Sequence, residues 1–362
     1  MNQNSNAFGP WTYFTYPHCN GFCKDASKLV IGKLHEDRNQ LWLYSIDGTP
    51  REMLAEHPAS QKCMWWDIAR ETDELVTSVN NQLLVYDLDK RECSWIWTPP
   101  EGASLGGLSS ISADGRCITA RVENDDRNEL WLIEREGRAR PVLSVDRNWK
   151  IGHEHFCPAD EDWIAFCHAW GTHVADRMWV WHPEHAPDGR CVFDQKSDRE
   201  NVLLAVGHER WCFHDVCSVV VAYGEGEGEP RGLYMVYADD RPPRLISQAD
   251  RDWHCNISRD GTLAVVDTTG AADAPGRGWE NADGLSDVVL VNVADGSRQH
   301  LYRTGLMGSQ QNWLQHPWHP HPHFTPETDR VIFHDCIDAG VEVCPSVIAV
   351  EYENNSGFKS SC

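Results

Sequence analysis

The sequence predicts an all-β fold, a single seven-bladed β-propeller, on three observations. Helical periodicity is almost absent. Short apolar runs of four to seven residues alternate with turns rich in Asp, Gly, Asn and Pro along the chain. One unit also recurs: an aromatic or His-bearing strand, an acidic turn such as S-x-D-G or P-x-x-D, an apolar strand, a loop, and a strand ending in apolar and aromatic residues. Such a unit cannot bury both faces alone, so copies must stack and the ring must close.

Taken in order, the first copy reads FCKDASKLVIG…LWLYSIDG and places blade one near 11–50. WDIARETDELVTSV…LLVYDLDK is a weaker second copy, near 60–92. ISADGRCITARV…LWLIEREG gives blade three near 104–146, and FCPADEDWIAFC…MWVWHPE gives blade four near 150–198. WCFHDVCSVVVAY…LYMVYADD is another weak copy and places blade five near 203–248. ISRDGTLAVVDT…VVLVNVADG gives blade six near 251–303, and FTPETDRVIFHD…VIAVEYE gives blade seven near 316–352. Residues 1–362 then form one domain, with an N-terminal strand expected to close the last blade. Asp114, Asp260 and Gly261 fall in the repeated turns, where short polar residues and Gly are needed for the backbone rather than for chemistry.

Charge excludes some functions. The 362 residues carry 55 acidic against 32 basic side chains, a net of −23. That argues against nucleic acid, whose affinity rests on phosphate neutralisation, and against an anionic membrane surface. No stretch approaches the ~18–20 apolar residues of a membrane span. The N-terminal residues lack the charged and apolar regions of a secretory signal, so a cytoplasmic location is expected. The fourteen Cys form no paired CxxC framework and read as reduced thiols, several at buried strand positions; a zinc cluster of cysteines is the alternative.

The chain holds 17 Trp and 18 His. Propellers place ligand sites at the mouth of the central channel, on the innermost strands. His residues recur just before the acidic turn, at His18, His153 with His155, His208, His254, and the cluster His316, His319, His321 and His323. The segment His316-Pro317-Trp318-His319-Pro320-His321-Pro322-His323 alternates Pro and His, so an extended chain would project His319, His321 and His323 to one side. Two imidazoles from one segment and a third from a neighbouring blade make a transition-metal site, without naming the metal.

Four blocks together resemble the oligogalacturonate lyase family of seven-bladed propellers. They are His319-Pro-His321-Pro-x-Phe324-x-Pro326; Trp253-His254-x-x-x-Ser258-x-Asp260-Gly261; Gly152-His153-x-x-Phe156-x-Pro158 leading to Phe166-Cys167-His168, His173 and Asp176-Arg177-x-Trp179; and His208-Glu209-x-Trp211. The resemblance covers blades four to seven, about 200 residues. It implies a divalent metal, Mn²⁺ in that family, held by His254, His319 and His321, and His208 as the Brønsted base. The family's further ligand is a Gln, whose place falls on His316 here, with Gln315 one residue away. Ala-Trp-Gly-Thr at 169–172 replaces the family's Glu-Gly-Pro-Trp, in a loop expected to touch substrate.

The implied activity is a metal-dependent lyase that cleaves short uronate oligosaccharides by β-elimination. A uronate has an acidic C5 proton beside its carboxylate; Arg177 could clamp that carboxylate and a neutral His208 could take the proton. His153, His168 and His173 are candidates to orient substrate. The expected partner is an acidic oligosaccharide, with oligomeric state left open. A non-enzymatic propeller scaffold, or a metal enzyme of another class acting on a different acidic or oxidised sugar, is the alternative.

Overall fold

The structure is a computed structural model describing residues 5–58, 64–168, 176–195, 204–223, 230–304, 319–338 and 343–352. Among the described residues every regular element is a strand, and the strands form seven four-stranded antiparallel sheets. β1 (Ser5–Ala7) belongs to the last sheet. Blade one is β2 (Thr12–Tyr13), β3 (Lys28–His35), β4 (Arg38–Ser45) and β5 (Pro50–Pro58). Blade two is β6 (Trp66–Ile68), β7 (Glu74–Val79), β8 (Gln82–Asp87) and β9 (Glu92–Trp97), and blade three β10 (Ser104–Ile111), β11 (Cys117–Glu123), β12 (Arg127–Glu134) and β13 (Ala139–Asp146). Blade four is β14 (Ile151–Phe156), β15 (Ile164–His168), β16 (Met178–His182) and β17 (Ala186–Cys191), and blade five β18 (Ala205–Trp211), β19 (Cys217–Tyr223), β20 (Gly232–Tyr237) and β21 (Arg244–Gln248). Blade six is β22 (Asp252–Ile257), β23 (Leu263–Thr268), β24 (Asp287–Asn292) and β25 (Arg298–Arg303). Blade seven orders β26 (His323–Phe324), β27 (Arg330–Asp338), β28 (Val343–Glu351) and β1, so a strand from each end of the chain meets in one sheet.

Two blades run longer than the repeat predicts. The outer strand of blade one reaches Pro58, and that of blade two reaches Trp97. Both are largely solvent-facing, with Met53 46% and Ile96 56% exposed, so neither carries the apolar run that marks an inner strand.

The core lies between blades rather than within one layer. Blades one and two share a cluster built on Tyr13, Phe14, Ile31 and Trp66. Blades five and six pack Val219, Val221, Val266 and Val291, and blades six and seven pack Val265, Val288, Phe333 and Val350. The acidic turns are local devices, as expected. Ser258 Oγ donates to Asp260 at 2.6 Å and accepts from Leu263 N at 3.0 Å, and Gly261 takes φ 73°. Ser112, Asp114 and Gly115 repeat this in blade three. No helix among the described residues is long and apolar enough to cross a membrane.

The inner strands carry the feature that positions the site. Register slips between Gly152 and His155 in blade four, Gly207 and Arg210 in blade five, and Asp252 and Cys255 in blade six. Each slip is a β-bulge, which turns a side chain away from the ordinary strand alternation. His153 and His208 sit in the bulges at φ 59° and 57°, and His321 takes φ 46° just before β26. Left-handed backbone disfavours most L-residues, although His is tolerated more often than branched side chains.

Candidate metal centre and active site

The bulges deliver His254, while the segment before β26 delivers His319 and His321. The three can each offer a ring nitrogen, with all three nitrogens inside 4.8 Å of one another and all three residues buried. His254 Nε2 and His321 Nε2 lie 3.2 Å apart. Imidazole nitrogens about 2.0–2.1 Å from a shared ion fall about 3 Å apart when their bonds are near perpendicular, so the spacing fits a metal. The donor chemistry fits as well. Burial holds His254 well below its ordinary pKa, with His319 and His153 adding to the effect, and metals bind the neutral ring.

The His254 ring is oriented by Asp267, a residue the sequence reading did not select. Asp267 Oδ2 stands 2.9 Å from His254 Nδ1, Asp267 Oδ1 accepts from His254 N at 2.7 Å, and Oδ2 accepts from His321 N at 3.0 Å. One carboxylate thereby fixes the tautomer of one candidate ligand and the backbone of another. Its signal in the sequence is a charge near the end of an otherwise apolar strand, opposite the bulge of blade six. His334 was also missed: its Nδ1 is 2.8 Å from the His319 carbonyl and its Nε2 accepts from Phe14 N at 2.7 Å.

His323 does not join the cluster. The left-handed turn at His321 breaks the extended geometry that would aim His319, His321 and His323 together. The His323 ring instead stands edge-on to Phe14 with Nε2 3.0 Å from the Thr15 carbonyl. His316, Gln315 and His173 lie outside the described residues.

His208 stands beside the cluster, its ring centroid 4.2 Å from that of His254. Its Nδ1 is 3.0 Å from the Tyr16 hydroxyl, and Tyr16 also touches the rings of His153, His254 and His321. Tyr16 follows β2 and was not singled out by the sequence reading; desolvation, then Glu209, keeps its hydroxyl protonated by raising its pKa well above the ordinary value. Burial, then the neighbouring His254 ring and the Arg177 guanidinium, push the His208 pKa well below its ordinary value.

Buried charged groups adjoin His208. His153 Nδ1 is 3.5 Å from Glu209, an ion-pair distance rather than a strong hydrogen bond. Burial alone would lower the His153 pKa, but Cys167 and Glu209 outweigh it and raise it to about 10. Arg177 is buried and donates through Nη1 to the Val206 carbonyl at 2.7 Å and to the Tyr223 hydroxyl at 3.2 Å. It packs directly over Gly207, where any Cβ would fall on the guanidinium. His168 is placed differently from the other candidates: it ends β15, a second strand, and packs among Trp149, Phe166 and Trp179.

Comparison with known proteins gives this geometry a family. The oligogalacturonate lyase family model matches residues 130–350, more than half of the chain. The chain belongs to the oligogalacturonate lyase family. It is 25% identical over 353 residues to an oligogalacturonide lyase of Pectobacterium atrosepticum, covering 90% of this chain and 87% of that protein. Two solved structures share the fold. An oligogalacturonate lyase in complex with manganese matches with a TM-score of 0.77 at 19% identity, over 97% of this chain and 93% of that one. An oligogalacturonate lyase from Vibrio parahaemolyticus matches with a TM-score of 0.76 at 20% identity, over 97% of both chains. The matched family region includes every block from which the resemblance was drawn, from Gly152 to Pro326.

Proposed function

We propose that this protein is a metal-dependent lyase that cleaves short oligogalacturonate-type oligosaccharides by β-elimination, leaving a 4,5-unsaturated sugar. Family membership supports the reaction class. The single observation that carries the reading to this chain is the convergence of His254, His319 and His321, with His208 alongside but outside the group.

In this reading His254, His319 and His321 hold the ion, Mn²⁺ as in the manganese complex of the structural relative, with His316 as the further ligand. When bound, the ion supplies Lewis-acid stabilisation of charge on the substrate carboxylate. His208 accepts the C5 proton, the C5–H electron pair becomes the C4–C5 double bond, and the C4–O bond breaks with its electrons on the leaving oxygen, which is then protonated. The Tyr16 hydroxyl keeps the His208 ring in place. Arg177 supplies positive charge for a uronate despite the net charge of −23, while the charge on protonated His153 is matched by Glu209. His168 and His173 are assigned to substrate orientation. The reading includes a cytoplasmic location, supported by eleven cysteines among the described residues that stand as free thiols.

The test is incubation of manganese-loaded protein with a panel of oligouronides, following ultraviolet absorbance of the conjugated product and new reducing ends together. Both signals should rise together on galacturonate oligomers. New reducing ends without absorbance would make the protein a hydrolase, and neither signal would leave a propeller without this chemistry.

A further inference from the structure

A second pocket opens at the other end of the channel. The inner strands begin at the histidine cluster and end in the turns that lead to the second strands, and those turns build this pocket. It holds about 650 Å³ of space, including the part continuous with solvent. Its wall includes Lys24, Arg70, Arg210 and Arg259, contributed by blades one, two, five and six. Four cationic side chains around one opening contrast with a net charge of −23.

Their partners are incomplete. Arg70 is paired with Glu161 at 3.0 Å. Arg210 is more than nine-tenths buried; one Nη donates to the His18 carbonyl, while Nε is buried without a hydrogen-bond partner. Phe213 lies beside two guanidinium groups, with Arg210 5.3 Å and Arg259 6.0 Å from its ring centroid. The nearby carboxylates are committed elsewhere. Asp67 accepts from Asn20 N at 2.6 Å, Ser110 Oγ at 2.7 Å and Ile111 N at 3.0 Å. Asp73 accepts from the backbone N of Lys24 at 2.6 Å. Among the described residues neither Lys24, Arg210 nor Arg259 has a carboxylate in ion-pair contact. A guanidinium removed from water without a counterion is costly. Burial, with Arg70 adding to it, pushes Arg210 down to about 10.

We propose that this far mouth of the channel binds a small oxyanion, a carboxylate or a phosphate, held by Arg210, Arg259 and Lys24. Guanidinium groups take such anions through paired N–H donors, and the buried Arg210, which feels Asp67 only without ion-pair contact, gains a direct counterion. The site is separate from the histidine cluster, so it is a ligand site of its own rather than an extension of the substrate groove.

Calorimetric titration of the metal-loaded protein at low salt tests this, with inorganic phosphate in one arm and acetate in the other. At least one should bind saturably, and the tighter one names the oxyanion. Arg259→Ala and Lys24→Ala change exposed side chains, so both variants should fold. Each should weaken binding about tenfold or more, the loss of one charge-assisted contact, while turnover of oligogalacturonate is unchanged. Binding should persist in His319→Ala. No binding in either arm would overturn the proposal. Binding indifferent to Arg259→Ala and Lys24→Ala would also overturn it, as would binding that disappears in His319→Ala, since the anion would then sit on the metal.

Discussion

Two residues that bind no substrate decide whether the site works. Asp267 makes three contacts to the His254 and His321 region and has no equivalent in a list of ligands read from sequence. Asp267→Asn keeps the shape but loses the charge that supports the His254 ring. Manganese affinity measured by titration should fall about 10–100-fold; affinity within twofold of the parent would leave Asp267 only a packing role. Gly207 matters for a different reason. Arg177 lies where a Cβ would stand, and that guanidinium is pinned by Val206 and Tyr223. Gly207→Ala must therefore displace Arg177. Oligogalacturonate turnover should drop by about 10²-fold, the scale of a misplaced clamp, with metal content unchanged. Full activity in this variant would remove Arg177 from the substrate site.

The inner strand shows what the sequence could and could not disclose. The seven repeats were legible because buried second and third strands such as Leu263–Thr268 and Asp287–Asn292 are continuous apolar runs between turn signals. The outer strands at 50–58 and 92–97 were blurred because solvent, not a neighbouring sheet, faces much of their surface. The convergence of His254, His319 and His321 was legible because their residue types and spacing stand out from an apolar background. Their exact aim was not, because alternation along a strand assumes regular backbone, and bulges break it at this point in blades four, five and six. The misassignment of His323, in blade seven, has a different break behind it, the left-handed turn at His321. The bulge also yields an inverted mutational order at His208, φ 57°. In an ordinary strand Gly is about 0.5–1 kcal/mol worse than Ala. In left-handed backbone a Cβ costs about 1–2 kcal/mol, so His208→Gly should be more stable than His208→Ala by about 1 kcal/mol in chemical denaturation. Both should lose at least about 10²-fold in turnover, the usual contribution of a general base, while keeping the metal. The reverse stability order would mean the bulge relaxes when the imidazole is removed.

At the scale of the whole molecule, the candidate metal centre lies one seam away from the ring closure. Blade seven is assembled from both ends of the chain, with β1 paired to β28 through Ser5–Val350, Asn6–Ala349 and Ala7–Ile348. Phe8 N then donates to the Val347 carbonyl at 2.9 Å, and Phe8 is buried against blade one. The proposed ligands straddle the neighbouring seam, with His254 on blade six and His319 and His321 leading into blade seven. A bound ion therefore ties blade six to the blade that the chain termini close, and separating these blades requires releasing it. A ligand bound only to the folded ring stabilises it by mass action, by about 2.7 kcal/mol at a free concentration of one hundred times Kd. Chelation should lower the thermal midpoint, and adding manganese back should raise it in proportion to the logarithm of free metal. His319→Ala should melt at one temperature whether or not metal is present. If the parent melts identically with manganese and with chelator, the three histidines do not hold an ion across this seam, and the assignment of His254, His319 and His321 as ligands must be abandoned.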